Sequence, residues 1–152
     1  EKYRTALEKL GPNSEESLYT IFTAHSIPSQ SLELGDPYSE EFDKTINKIV
    51  ERVQPRKWFK AYQSQGMIPV PWLGPTVESV LEKIAKQGSK KVLIVPVGFV
   101  CDHVEILFDI DIEFKKYASE LKLSLHRTES LNISPLFVEA LASLTWENLI
   151  SP

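Results

Sequence analysis

Residues 92–95 of this 152-residue chain read Val-Leu-Ile-Val, leaving no polar position on either side of an extended strand. Side chains alternate faces along a strand, so four consecutive apolar residues need cover on both faces. A parallel sheet with helices above and below supplies that cover. The run sits in a strand expected over 90–97, between Gly88 and a Gly98-containing loop. Three other short β-rich segments accompany it: 18–23, 58–63 and 123–126.

Amphipathic helices fall between these strands. Residues 1–10 read as a helix stopped by Gly11-Pro12, with a polar linker from Asn13 to Ser17. Ser39 is placed to cap a helix whose Phe42, Ile46, Ile49, Val50 and Val53 share one face, ended by Pro55. Val77, Val80, Leu81 and Ile84 form the next stripe, closed by Gly88. A helix from about Asp102 to Leu121 is expected to turn Val104, Leu107, Ile110, Phe114, Tyr117 and Leu121 inward. A last helix opens at Ser134-Pro135, with Phe137, Leu141 and Leu144 expected inward. One helix followed by four strand–helix units predicts a three-layer α/β fold: a four-stranded parallel sheet flanked by helices, in a single domain over 1–152.

Charge and cysteine content narrow the function. A net charge of −4 and a pI near 5.4 argue against nucleic acid as a partner, because phosphate binding needs a clustered basic surface. No run is long and apolar enough to read as a membrane span. The single cysteine, Cys101, rules out a disulfide framework or a four-cysteine cluster within the chain. It is expected to be a buried, inert thiol, and low cysteine usage fits a cytoplasmic location. The chain opens at Glu1, without methionine, and reads as part of a longer protein.

In open α/β sheets ligands bind at the carboxyl ends of the strands. His25 and Ser26 follow strand one, Gln63, Ser64 and Gln65 follow strand two, and Asp102, His103 and Glu105 follow strand three. If strands one and three are neighbours, His25 faces Glu105 across a cleft. An imidazole and a carboxylate together suit Fe²⁺, and suit proton removal equally well; a histidine after a strand is also commonly a hydrogen-bonded structural residue. Glu105, Asp109 and Glu113 recur at i, i+4 and i+8, with Asp111 nearby: either a solvated acidic face or a row of oxygen ligands leading a cation toward Glu105. In the proline-rich loop 63–75, Trp72 could lie against a flat macrocycle or pin the loop itself. Tyr62, Tyr38 and Phe99 are aromatic and near the same rim, and His126 reads as structural or surface.

Taken in order, Thr23-Ala24-His25-Ser26-Ile27-Pro28, Gly35-Asp36-Pro37-Tyr38, Tyr62-Gln63-Ser64, Pro71-Trp72-Leu73-Gly74-Pro75 and Pro96-Val97-Gly98-Phe99-Val100-Cys101-Asp102-His103-Val104-Glu105 resemble the ferrochelatase family. Leu131-Asn132 and the closing helix fit as well, and the resemblance covers about residues 1–150. It implies one half of a two-domain chelatase fold, the carboxy-terminal half, with the amino-terminal partner domain outside this chain. It implies insertion of ferrous iron into protoporphyrin IX or coproporphyrin III in haem biosynthesis, a lyase reaction. His25 and Glu105 would be the catalytic pair flanking the macrocycle, and which of them takes the pyrrole protons stays open. Asp109 and Glu113 would belong, with His25 and Glu105, to a metal relay on a helix with π-type turns, able to hold hydrated Mg²⁺. Asp102 and His103 would support the site, and Trp72, Tyr62 and Ser26 would line the porphyrin pocket.

The resemblance makes Fe²⁺ and porphyrin substrates, retains no cofactor, and allows the full protein a peripheral membrane contact. Two features depart from the family. Tyr62 stands where many members have tryptophan. No cysteine cluster follows Cys101, so the iron–sulfur cluster of some members is not expected. Two rival readings remain: a short homodimeric chelatase acting on a sirohydrochlorin-type ring, and a non-catalytic tetrapyrrole- or metal-binding module.

Overall fold

A computed structural model describes residues 1–11 and 16–150. Pro12 and the first part of the expected Asn13–Ser17 linker lie outside the described residues. The elements run α1 (Lys2–Leu10), β1 (Leu18–His25), α2 (Gln30–Glu33), α3 (Tyr38–Val53), β2 (Trp58–Gln63), α4 (Val77–Lys86), β3 (Lys91–Val95) and α5 (Val104–Leu107). A π-helical segment (Asp109–Phe114), α6 (Lys115–Glu120), β4 (Ser124–Arg127) and α7 (Pro135–Ile150) complete the chain. The four strands form one parallel sheet in the order β2-β1-β3-β4, so the expected α/β architecture holds.

β3 is covered on both sides, as its apolar run requires. Val92 and Ile94 enter a core with Ile21, Ala61, four α4 residues and the helical stretch after β3. Leu93 points the other way, onto Tyr3 and Ala6 of α1. Beside it, Phe22, Ala24 and Tyr62 pack against Phe42 and Ile46 of α3. Each fully buried Leu, Ile or Phe contributes about 1.5–3 kcal/mol. Lys2 and Lys9, 2.9 and 2.8 Å from Glu129, fasten α1 at the surface and hold that carboxyl down to about 2. Among the described residues no helix is long and apolar enough to cross a membrane.

Four expectations need correcting. After β3 the buried residues are Ile106, Ile110, Phe114 and Ala118, a strict spacing of four, whereas Val104 and Leu107 are exposed. An α-helix of 3.6 residues per turn would rotate such a row out of line; the wider π-type turns, with Glu113 N–H donating to Phe108 O at 3.0 Å, keep it facing the core. On α7, Leu141 and Leu144 are exposed, as are Leu136, Val138, Trp146 and Leu149, and of the three residues expected inward Phe137 alone is half-buried. Cys101 is exposed, on the loop that leaves the sheet after β3. The cap of α3 also differs. Asp36 accepts the Tyr38 N–H at 2.9 Å, while the Ser39 hydroxyl bonds the Tyr62 hydroxyl.

Candidate active site

β1 extends three residues beyond its last pairing with β3, Phe22 to Val95, and places His25 beside Gln63 at the open end of the sheet. The chain leaving β3 must cross this end closely to bring Glu105 near His25. Gly98 permits it. A Cβ there would lie 2.6 Å from the Ala24 Cβ, and the Gly98 N–H donates to Thr23 O at 3.0 Å. His103 then caps α5 by accepting the Glu105 N–H at 3.3 Å.

This route brings His25 Nε2 to 3.1 Å from Glu105 Oε1. The two side chains are about equally open, 35 % and 36 % exposed, so a ligand can reach both. The opposite ring atom fixes the chemistry. His25 Nδ1 lies 2.5 Å from the Ser26 carbonyl oxygen, which can only accept. Nδ1 therefore carries the hydrogen, and in the neutral ring Nε2 presents its lone pair to the Glu105 carboxylate. Two lone pairs at that distance need something between them: a proton on one partner, or a cation shared by both. The backbone is held firmly behind the ring, with Tyr38 Oη donating to His25 O at 2.8 Å and Ser26 N–H to Gln63 O at 2.7 Å. The Phe99 ring stands 6.4 Å from His25 and 5.1 Å from His103.

The acidic row continues from Glu105. The Ser64 hydroxyl donates to Asp109 from a left-handed backbone (φ 59°), an uncommon conformation for serine. Asp109 and Glu113 then line a cavity of about 470 Å³ together with Glu78, which sequence reasoning passed over because it carries no motif on α4. Asp111 and Asp102 leave the row. Arg127 holds Asp111 through three contacts of 2.9–3.1 Å and stands 3.3 Å from Asp102. Hydrogen bonds from Asn132 and Ser130, reinforced by Arg127, lower the Asp102 pKa. Burial pushes Asp111 up, but Arg127 and Lys115 outweigh it and the net shift is downward. Among the described residues no three His, Cys, Asp or Glu side chains close on one point, so His25, Glu105, Asp109 and Glu113 form a row and not a cage.

The pocket residues are placed differently from expectation. Ser26 is fully buried and donates to Leu73 O at 2.9 Å. Tyr62 is 2 % exposed and packs edge-on against Phe42. Ser26 braces the wall from behind, and Tyr62 borders the cavity of Asp109 and Glu113 with almost no open surface. Trp72 donates to Ile68 O at 3.1 Å and lies across Gly66, pinning its own loop. Exposed Val104, Leu107 and Phe108 are the apolar groups flanking Glu105 in sequence that remain open.

The ferrochelatase family model matches residues 1–149. A ferrochelatase of Herpetosiphon aurantiacus is 45% identical over 139 residues, covering 91% of this chain and 46% of that protein. A coproporphyrin III ferrochelatase of Geobacillus thermodenitrificans is 35% identical, covering 98% of this chain and 48% of that protein. The chain thus spans about half the length of these relatives. Among solved structures, a cobalamin (vitamin B12) biosynthesis CbiX protein of Marinobacter aquaeolei VT8 shares the fold, with a TM-score of 0.62, 17% identity, and coverage of 87% of this chain and 97% of that one. With its family model matched from end to end of the sheet, the chain belongs to the ferrochelatase family.

Proposed function

We propose that this chain carries the His25–Glu105 half of a site that inserts Fe²⁺ into a porphyrin, protoporphyrin IX or coproporphyrin III. The reading rests on one observation: His25 Nε2 stands 3.1 Å from the Glu105 carboxylate while His25 Nδ1 is held by the Ser26 carbonyl. Insertion exchanges one Fe²⁺ for two pyrrole protons, and both must pass through such a point. An Nε2 with no hydrogen can take a proton or a metal, and the facing carboxylate offsets the positive charge in either state. Asp109 and Glu113 extend the carboxylates outward, where they could hold hydrated cations, Mg²⁺ included, without enclosing them. An open row suits iron as a substrate, which has to leave.

The domain reading is part of the proposal. The exposed apolar face of α7, from Leu136 to Leu149, would be covered by a second α/β domain supplying the remaining length of the relatives. That domain would also close the far wall of the porphyrin cleft.

The test uses the full-length protein with Fe²⁺ and each porphyrin under anaerobic conditions, following metalloporphyrin absorbance. Wild type should insert iron, and His25→Ala should lower the rate by about 10²–10⁴-fold with an unchanged melting temperature. Undiminished turnover in His25→Ala would refute the reading.

A further inference from the structure

Gln63 ends β2 directly opposite His25 and is 2 % exposed. Its amide Nε2 donates to the main-chain carbonyl of Glu105 at 3.0 Å, joining β2 to the first turn of α5. The amide can face only this way, because turning it over would set its oxygen against the Glu105 carbonyl oxygen, acceptor against acceptor. In the orientation observed, Gln63 Oε1 has no hydrogen-bond partner. Among the described residues one other buried side-chain atom shares that condition, Thr23 Oγ1, on β1 two positions before His25. The register places Thr23 opposite Ala61 and His25 opposite Gln63, so both unpaired atoms belong to residues on the His25 face of the sheet.

A buried acceptor without a donor costs stability. An apolar side chain of similar size at position 63 would remove that cost. What the amide supplies in return is a donor at the residue whose carboxylate meets His25. Its neighbour Ser64, in its left-handed conformation, accepts a longer contact from the same amide at 3.4 Å and donates its hydroxyl to Asp109. Consecutive residues at the end of one strand therefore hold successive members of the acidic row.

We propose that Gln63 is a positioning residue for metal insertion: by fixing the Glu105 carbonyl it keeps the Glu105 carboxylate on His25 Nε2. This inference rests on the function proposed above. Gln63 needs no contact with iron or porphyrin to act, and its effect should appear in turnover and not in substrate binding.

The experiment compares full-length wild type with Gln63→Met, which keeps the length and loses the donor, and Gln63→Glu, which sets an acceptor against the carbonyl. Steady-state iron insertion and thermal melting are measured for each. Gln63→Met should lower kcat on the order of 10- to 100-fold, the penalty of a slight misplacement of a reacting group. Its KM for porphyrin should stay within about twofold of wild type. Its melting temperature should stay close to that of wild type, because the unpaired oxygen is gone while the Glu105 carbonyl loses one donor. Gln63→Glu should lose more kcat than Gln63→Met. Wild-type kcat in Gln63→Met overturns the inference, as does a loss of activity matched by loss of folded protein, which would make Gln63 merely structural. A wild-type protein that inserts no metal removes the underlying reaction, an outcome distinct from both.

Discussion

Two sets of carboxylates leave residues 102–113 and meet opposite surroundings. Asp102 and Asp111 converge on Arg127, whose side chain is only 14 % exposed, and both titrate below the ordinary range. Glu105, Asp109 and Glu113 have no lysine or arginine within ion-pair distance among the described residues. They face an imidazole, a hydroxyl and an open cavity. The first set uses its charge to tie the π-type segment to β4. The second has only imidazoles as basic neighbours, and such a row of carboxylates attracts a cation. Both sets are carboxylates; the position of one arginine separates structure from chemistry.

The largest expected effect on the first set comes from Arg127→Met, which leaves Asp111 to Lys115 and Asp102 to Asn132 and Ser130. Breaking a fully buried ion pair costs 3–5 kcal/mol, but Asp102 and Asp111 keep 33% and 25% of their side-chain surface, so about 1–3 kcal/mol is expected here. Denaturant unfolding checks it, and an unchanged midpoint would mean that solvent already screens the cluster. The same variant should leave the His25–Glu105 contact in place, since no atom of Arg127 touches either residue among the described bonds.

A smaller effect lies in acid. A carboxyl whose folded pKa is depressed stabilises fully above its unfolded value and loses that contribution as pH falls through the folded one. For Asp102 and Asp111 the loss should begin near the unfolded value of 3.8 and deepen below it. Arg127→Met should weaken the dependence. Unfolding midpoints from about pH 5 to about pH 2 measure it, and equal slopes in both proteins would deny Arg127 its role.

The sheet was readable because its signals are local. The 92–95 run and the stripe at Val77, Val80, Leu81 and Ile84 each carry their own period, and both proved buried. His25 and Glu105 were readable as candidates from strand ends, and their meeting followed from β1 and β3 being neighbours. The face of the helix after β3 was not readable from a 3.6-residue period, because π-type turns change the period itself. Nor was the role of Tyr62 or Ser26. Proximity to the rim in sequence does not say which side of the sheet a residue faces, and both turn inward. The split between Asp111 and Asp109, two residues apart, depended on Arg127 arriving from β4, a contact with no local sign.

Whether His25 and Glu105 act as one site is decided by iron-insertion rates in full-length His25→Ala, Glu105→Gln and the double variant. Partners sharing a proton or metal are already disabled when either is lost, so the double variant should insert iron no more slowly than the slower single one. Losses that multiply in the double variant would show two independent groups and contradict the shared site.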